Sequence, residues 1–312
     1  MPASSIRAAL DGGGCGGKVG DVNPTSPPSA GSTTSPADTV TADDASASPG
    51  TGVVAPGSAS TPAPGPATLA LDIGGTGLKA SVLDAAGTMV ADRVRMPTTY
   101  PCPPSKLLDD LADLAGQLPH FDRVSAGFPG MVRDGVVLSA PHFVTVHGPG
   151  SAVDTDLTTQ WARYPLARSL ADRLGAPTRV ANDADVQGAA VVSGTGLELV
   201  VTLGTGVGTA LFFHGRLLPH LEFAHFPFRK GDTFNDQLGE RVLERVGAAK
   251  WNRRVAKAIE AFRGLTFFDH CYIGGGNAHH LSGSLGDDVS VVDNSAGILG
   301  GIKLWEGDHV GL

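Results

Sequence analysis

The sequence predicts a mixed α/β protein made of two similar halves that face each other across a cleft. A strand-like segment, a turn rich in glycine and threonine, and a second strand-like segment occur twice, near Ile73 and near Leu203. Segments with apolar residues at helical spacing follow each copy. The copies are far too distant for a solenoid, so we expect one copy in each half.

The first 66 residues differ in composition from the rest. They are rich in glycine, serine, threonine, proline, alanine and aspartate, and they contain no phenylalanine, tryptophan or tyrosine. Such a segment cannot bury enough apolar surface to offset the entropy that is lost on ordering. We therefore expect residues 1–66 to form a disordered tail without a catalytic role. A start site assigned too far upstream is the alternative explanation.

Behind the tail, we expect an N-terminal α/β domain over residues 67–181 and a C-terminal one over residues 182–312. Short apolar runs bounded by glycine or proline indicate strands, and apolar residues three and four apart indicate helices. The predicted strands are 68–73, 78–83, 89–96, 124–128, 178–181, 197–203, 209–213, 267–273 and 289–292. The predicted helices are 105–118, 161–174, one from 184 onward, one long or two shorter over 237–263, and 294–305, which would pack back on the N-terminal domain.

Composition and charge exclude several classes of function. Hydrophobic residues make up 41% of the chain, and the net charge of −8 argues against a general nucleic-acid or anionic-membrane surface. No apolar run approaches the roughly 20 residues of a membrane-spanning helix, and no secretory signal is recognisable. Cys15, Cys102 and Cys271 are odd in number and far apart, so they indicate neither a disulfide framework nor a zinc site. We expect a cytoplasmic enzyme that acts without nucleic acid or membrane.

Both glycine turns have the composition of phosphate-binding loops. Glycines let the backbone approach phosphate oxygens, and threonine hydroxyls add hydrogen-bond donors. A tight hairpin explains either turn alone, but two turns in corresponding places favour a triphosphate or polyphosphate in the cleft. The candidate residues are Asp72, Gly74, Gly75, Thr76 and Lys79 in the first loop, and Thr202, Gly204, Thr205 and Gly206 in the second.

Two further motifs carry polar side chains. Asn182 and Asp183 directly follow an apolar strand, where such residues are often only helix caps. The functional interpretation is that Asp183 accepts a proton from a substrate hydroxyl while Asn182 holds a neighbouring hydroxyl. Glu222 and His225 are three residues apart and suit a pocket for a polyol, although a turn with a structural histidine would have the same pattern.

These motifs resemble those of a known family. The segments LALDIGGTGLKASVLD, GFPGMV, VANDAD, TLGTGVGTAL, EFAH and YIGGGNA occur in the order found in the ROK sugar kinases, and within them in the polyphosphate glucokinase branch. The resemblance extends over residues 68–305. It implies an actin-like ATPase (ribonuclease H-like) fold, with two similar α/β domains around a central cleft that holds the sugar.

The resemblance also implies roles for particular residues. Asp183 would be the general base, and the sugar would lie against Gly127, Pro129, Gly130, Asn182, Glu222 and His225. The two loops, with Gly275, would hold the phosphoryl donor, while Mg²⁺ bridges its phosphates with Asp72 as the candidate protein ligand. The family often forms dimers, but no segment of the sequence identifies an interface for a homodimer.

The sequence departs from the family pattern in two places. Many members carry a cysteine-rich zinc motif after the Glu-x-x-His segment, but PFRKGDTFNDQLGE stands here without cysteine. We therefore expect no structural zinc, as is typical of the polyphosphate-using branch. A glutamate that usually contacts the sugar is also replaced, since the local sequence is Gln237-Leu238-Gly239.

Basic residues bear on the choice of phosphoryl donor. They are concentrated between residues 229 and 263 of an otherwise acidic chain, where they would attract a polyanion such as polyphosphate. The alternative is a solvated helix face, and the few aromatic residues disfavour single-stranded nucleic acid. These residues are Arg229, Lys230, Arg241, Arg245, Lys250, Arg253, Arg254 and Lys257.

The sequence thus predicts a kinase that transfers a phosphoryl group from polyphosphate or ATP to a hexose, with glucose 6-phosphate as the expected product. An ATP-dependent kinase for fructose, mannose or an N-acyl hexosamine is the main alternative. A sugar-responsive repressor of the same family would need a helix-turn-helix domain, for which residues 1–66 lack apolar periodicity. The presence of Asp183 and both glycine loops argues against a sugar-binding pseudoenzyme.

Overall fold

The computed structural model describes residues 64–292, 300–307, 309 and 310. The expected disordered tail therefore lies outside the described residues, except for its last three positions. The first six residues of the predicted helix 294–305 also lie outside them.

The described residues contain fourteen strands and eight α-helices. The strands are β1 (Thr68–Ile73), β2 (Gly77–Leu83), β3 (Val94–Pro97), β4 (Arg123–Phe128), β5 (Val132–Arg133), β6 (Val136–Val137), β7 (Thr178–Asn182), β8 (Leu197–Leu203), β9 (Val207–Phe213), β10 (Arg216–Leu217), β11 (Pro227–Arg229), β12 (Asp232–Thr233), β13 (His270–Gly274) and β14 (Val289–Val291). The helices are α1 (Pro104–Ala115), α2 (Thr155–Trp161), α3 (Leu166–Leu174), α4 (Asp183–Ala189), α5 (Phe234–Leu238), α6 (Glu240–Val246), α7 (Ala248–Thr266) and α8 (Gly300–Lys303).

Two five-stranded sheets of identical topology form the framework. The first has the order β3-β2-β1-β4-β7, and the second has the order β10-β9-β8-β13-β14. In each sheet the first three strands of this order pair antiparallel with their neighbours. The last two strands run parallel to the central strand, which is β1 in the first sheet and β8 in the second. The prediction of two similar α/β halves is therefore confirmed at the level of strand order.

The alternation of side chains along β1 determines what packs on each face of the first sheet. Leu69, Leu71 and Ile73 are buried in a core that also contains apolar residues of α1 and α3. Ala70 lies between these positions in the strand and so faces the other way, where it meets the backbone of α8 at Gly301. The first sheet is thus covered on both faces.

The second half differs from the sequence prediction in its helices. The segment predicted as one or two helices over 237–263 forms three, because the chain breaks at Gly239 and Gly247. Gly247 has a φ of 76°, which interrupts a helix and which glycine adopts without strain. The remaining helix, α7, buries Trp251 and Phe262 against the second sheet. The prediction of one or two helices was wrong because a glycine in a helical pattern does not by itself show that the helix ends there.

Other differences lie at element ends, at one break, and in the short strands β5, β6, β10, β11 and β12, which were not predicted. The predicted third strand, 89–96, is regular only in β3, although Met89 forms an isolated bridge with Leu83. The predicted helix 161–174 is instead the end of α2 followed by α3, with Pro165 as the residue before α3. Proline lacks the N–H that a continuous helix would need at this position.

Trp305 attaches the segment after α8 to the first sheet. Its indole N–H donates to the Ser125 hydroxyl at 2.8 Å. The guanidinium groups of Arg123 and Arg179 lie 5.2 and 4.7 Å from its ring centre, within cation–π range.

We expect Trp305→Ala to lower the free energy of unfolding by about 2 to 4 kcal/mol, because the ring contacts and the indole hydrogen bond are both lost. Trp305→Phe keeps a ring between Arg123 and Arg179 and should cost less than half as much. Urea denaturation of the two variants measures both effects. Equal losses would show that stacking on the arginines contributes nothing.

In the part of the chain that the structure describes, no helix is both long enough and apolar enough to cross a membrane.

Candidate active site

The carboxyl ends of three parallel strands of the first sheet bring the candidate residues together. Asp72 of β1 pairs with Gly127 of β4, and Phe128 of β4 pairs with Asn182 at the end of β7. A Cβ atom on Gly127 would lie 3.4 Å from the Cα of Asp183. This edge is where ligands bind in open α/β sheets.

Asn182 caps α4 and fixes the strand-to-helix junction. Its side-chain oxygen accepts a hydrogen bond from the Ala184 N–H at 2.8 Å, and its side-chain nitrogen donates to the Gly130 carbonyl at 3.0 Å. Asn182 is buried, and both ends of its amide have partners inside the protein. It therefore holds the Gly127–Gly130 turn against the start of α4, which leaves its second N–H hydrogen to donate to a ligand.

The Gly127–Gly130 turn is too tightly packed for a larger residue at its end. A Cβ atom on Gly130 would lie 2.2 Å from the carbonyl oxygen of Ser139. Pro129 is partly exposed in the same turn, beside the junction that Asn182 holds. The predicted residues Gly127, Pro129, Gly130, Asn182 and Asp183 thus lie in one cluster.

Asp183 is the first residue of α4, and its surroundings raise its pKa. One carboxylate oxygen accepts a hydrogen bond from the Ala184 N–H at 2.9 Å. Burial raises the pKa of Asp183 to about 6, and the negative charges of Asp72 and Asp185 add to this effect, whereas the Ala184 N–H opposes it. A carboxylate with such a pKa at a rigid junction suits proton transfer near neutral pH.

The first glycine loop, between β1 and β2, is held by side chains from elsewhere in the same half. The Thr98 hydroxyl donates to the Gly74 carbonyl and the Tyr100 hydroxyl donates to the Gly75 carbonyl, both at 2.7 Å. Thr76 is exposed at the tip. Lys79 and Asp72 face each other across the hairpin, with 2.8 Å between the ammonium nitrogen and a carboxylate oxygen.

The second glycine loop, between β8 and β9, is held from outside the hairpin. The Asn277 side chain donates to the Gly204 carbonyl at 3.0 Å, and the Val207 N–H donates to the Asn235 side chain at 3.0 Å. Gly275 has a φ of 90°, and a Cβ atom there would lie 2.4 Å from the Leu203 carbonyl oxygen. Gly275 therefore packs against the backbone at Leu203, where the loop begins, and has to be glycine.

The second loop lies close to the Asp183 junction. A Cβ atom on Gly208, which follows the loop in β9, would lie 2.9 Å from the Cβ of Ala184 and 2.4 Å from the Thr202 hydroxyl oxygen. Thr205 and Gly206 lie between these strands. A Cβ atom on Gly206 would lie 2.6 Å from the Asn235 side chain. The start of α4 thus adjoins the hairpin that carries the second loop.

Glu222 precedes a short 3₁₀ helix, Phe223–His225, after β10, and His225 is the last residue of this helix. Glu222 is partly buried, whereas His225 is exposed. The nearby positive charges include His220 and His225, and the approach of His220 in particular lowers the pKa of Glu222. Glu222 therefore stays ionised over the range in which Asp183 titrates.

Sequence analysis missed two residues of this site, Asp185 and His220. The His220 Nδ1 lies 2.9 Å from a carboxylate oxygen of Asp185, and its Nε2 lies 3.6 Å from an oxygen of Glu222. Asp185 and His220 are both buried. Asp185, an acidic residue two positions after Asp183, was a sequence feature that pointed to this site. Its partner His220, however, is 35 residues away along the chain.

Within the described residues, no group of three or more histidine, cysteine or acidic side chains is arranged to hold a metal ion. The cysteine-free stretch after the 3₁₀ helix forms the β11–β12 ribbon and α5. Gln237, which stands where the family resemblance places a glutamate, is buried and donates to Asp232. Its amide is thus held by the ribbon.

Comparison with known proteins finds a family to which part of the chain is similar. The sequence profile of the ROK family matches residues 68–220. The chain contains a ROK-family domain. This ROK domain covers the whole first sheet and strands β8 to β10, and it ends at His220, two residues before Glu222.

Three relatives extend this comparison. A polyphosphate glucokinase of Mycobacterium tuberculosis is 26% identical over 215 residues, which are 66% of this chain and 76% of that protein. An N-acetylmannosamine kinase of Escherichia coli is 33% identical over 156 residues, which are 48% of this chain and 49% of that protein. The crystal structure of an inorganic polyphosphate/ATP-glucomannokinase from Arthrobacter sp. strain KM matches with a TM-score of 0.64 at 27% identity, over 78% of this chain and all of that one. The expected actin-like fold is thereby confirmed.

Proposed function

We propose that this ROK-domain protein is a sugar kinase that transfers a phosphoryl group from inorganic polyphosphate or ATP to a hexose, with glucose as the first candidate. The observation that carries the proposal is the environment of Asp183. This desolvated carboxylate lies at a rigid junction beside the strands that carry two glycine loops. The polyphosphate glucokinase and glucomannokinase relatives support the same substrates.

Asp183 acts as the general base in this proposal. With a pKa of about 6 it is ionised at neutral pH, yet it is basic enough to accept the proton that a sugar hydroxyl loses as it attacks phosphorus. The Ala184 N–H holds one of its oxygens, so the other is directed to the substrate. Glu222, His225 and the Gly127–Gly130 turn would contact the remaining sugar hydroxyls.

The two glycine loops bind and orient the donor phosphates in this proposal. Transfer then depends mostly on in-line positioning and on neutralising charge. Lys79 could move from Asp72 to a phosphate oxygen, since both side chains are about half exposed and such a surface pair is weak.

Kinases that use ATP or polyphosphate generally need a divalent metal ion, and we propose Mg²⁺. Asp72 fits this ion, because Mg²⁺ keeps several waters and typically takes one or two carboxylates besides the donor phosphates. When bound, the ion would neutralise negative charge on the donor phosphates.

Positive charge near the first loop favours polyphosphate as a donor. A guanidinium nitrogen of Arg241 lies 3.5 Å from where a Cβ atom of Gly150 would be. Pro149, the residue before Gly150, would lie 2.8 Å from a Cβ atom on Gly75 in the first loop. Arg229, Arg245 and Arg254 lie close enough together that burial and the first two charges lower the pKa of Arg254. A long polyanion would be attracted along this surface.

A second candidate is a kinase for another hexose or an N-acyl hexosamine. The buried Gln237 in place of the glutamate expected from the family resemblance favours this alternative, as does the N-acetylmannosamine kinase relative. The experiment is a panel of purified protein with several hexoses and hexosamines, each with ATP, GTP or polyphosphate, and with sugar phosphate as the readout. Undetectable phosphorylation with every pair would contradict the proposed function.

The pKa of Asp183 predicts the pH dependence of this activity. The active form is the carboxylate, so kcat/KM should rise with pH through about 6 and level off above about pH 7. An aspartate with its ordinary pKa would give a level profile down to about pH 5. Circular dichroism at each pH serves as the check that the protein stays folded. A profile that stays level down to pH 5 would show that Asp183 is not the titrating base.

A further inference from the structure

We propose that His220 is a positioning residue, whose buried positive charge joins the carboxylates of Asp185 and Glu222 and holds Glu222 toward the sugar. The inference rests on the proposed function, because it assigns Glu222 to the sugar site. It concerns two residues, Asp185 and His220, to which the sequence motifs gave no role.

The geometry favours a charged imidazole. Both ring nitrogens of His220 face carboxylates, Asp185 at 2.9 Å and Glu222 at 3.6 Å. A neutral imidazole has one nitrogen that only accepts hydrogen bonds, and this nitrogen would face a carboxylate across a repulsive contact. Among the described residues, the Nε2 has no partner at hydrogen-bond distance, so closing the 3.6 Å gap to Glu222 would satisfy it.

The backbone next to His220 is fixed, and its ring is buried. The hydroxyl of Thr209 in β9 donates to the Leu221 carbonyl at 3.0 Å, and the Phe223 N–H donates to the same carbonyl at 2.9 Å. Asp185 is fixed as well, since it lies in the first turn of α4. The link therefore connects the helix that carries Asp183 to the segment that carries Glu222.

The balance of nearby charges agrees with this geometry. From α4, His220 faces Asp185, with Asp183 at longer range, and from its own segment it faces Glu222, on which His225 also acts. Burial lowers the pKa of His220, but the hydrogen bond to Asp185 and the negative charges of Asp185 and Glu222 outweigh it and raise the pKa to about 10. One positive charge thus sits among three carboxylates, and it also lowers the pKa of Asp183.

Replacement of the charge should therefore change sugar binding and the pH profile together. In His220→Asn, an amide can still donate to Asp185, but Glu222 loses its cation. We expect the sugar KM to rise about 10-fold, since Glu222 loses the positive charge that holds it toward the sugar, an interaction of about the size of a hydrogen bond to a charged group. The acid limb of kcat/KM should move up by about half to one pH unit, because Asp183 loses a stabilising positive charge. The donor KM should not change.

The experiment compares wild type, His220→Asn, Asp185→Asn and the control His120→Asn, which replaces an exposed histidine away from the site. Steady-state kinetics give the KM for sugar, the KM for donor and the pH profile of each variant. In parallel, nitrogen-15 NMR of histidine-labelled wild type follows the protonation of His220 with pH. The His220 signals are assigned as those that His220→Asn lacks. We expect it to stay protonated beyond about pH 8.

Two results would overturn the inference: titration of His220 near its ordinary value, or a folded His220→Asn with an unchanged sugar KM and acid limb. If His220→Asn does not fold, the wild-type titration decides. Wild type that phosphorylates no sugar contradicts the proposed function instead, while the titration still tests the charge on His220.

Discussion

Asp183→Asn should lower kcat for sugar phosphorylation by about 10²- to 10⁴-fold, the range that a general base contributes. The asparagine oxygen can still accept the Ala184 N–H, so the start of α4 keeps its geometry. The amide cannot take a proton at any pH near neutrality. We therefore expect the KM for sugar to change little and the acid limb of the pH profile to disappear together with the activity.

The matched control is Asp172→Asn, which replaces an exposed aspartate in α3. Thermal unfolding should show that Asp183→Asn is no less stable than wild type at neutral pH. The reason is that a buried acid with a raised pKa costs stability once it is ionised. An Asp183→Asn protein with full activity would remove Asp183 from the mechanism and leave the fold untouched.

The strand–turn–strand unit at the start of each half could be predicted because its determinants are local. Each half begins with an apolar strand, a glycine turn and a second strand, and the turn itself brings the strands into register. The helix breaks were harder to predict. Gly239 and Gly247 each end a helix that could in principle have continued, and only packing of α5, α6 and α7 on the second sheet decides where they end.

The residues of the candidate site also fall into those that could be predicted from local sequence and those that could not. Asp183, Asn182 and the two loops were found because each follows a strand, and parallel strands bring their carboxyl ends to one edge. His220 and Asp185 are 35 residues apart, and nothing in the intervening sequence indicates that α4 and the segment after β10 meet. Sequence also could not show that both ends of the Asn182 amide bind inside the protein.

The second loop offers a direct test of donor binding at Gly204. A Cβ atom on Gly204 would have no atom within 4 Å, and its φ lies outside the left-handed region. Gly206 is different, since a Cβ atom there would lie 2.6 Å from the Asn235 side chain. Alanine at position 204 thus fits the protein itself and fills only space beside the loop.

Gly204→Ala should raise the KM for the phosphoryl donor by about 10- to 100-fold, because the methyl group keeps phosphate oxygens from the loop N–H groups, and each such hydrogen bond is worth about 1.5 to 3 kcal/mol. The KM for sugar and the unfolding temperature should match wild type. Gly264→Ala is the control, since Gly264 in α7 also has no atom within 4 Å of its Cβ position. An unchanged donor KM in a folded, active Gly204→Ala protein would mean that the phosphates do not lie against this loop. Donor binding would then rest on the first loop and on the positively charged surface near Arg241.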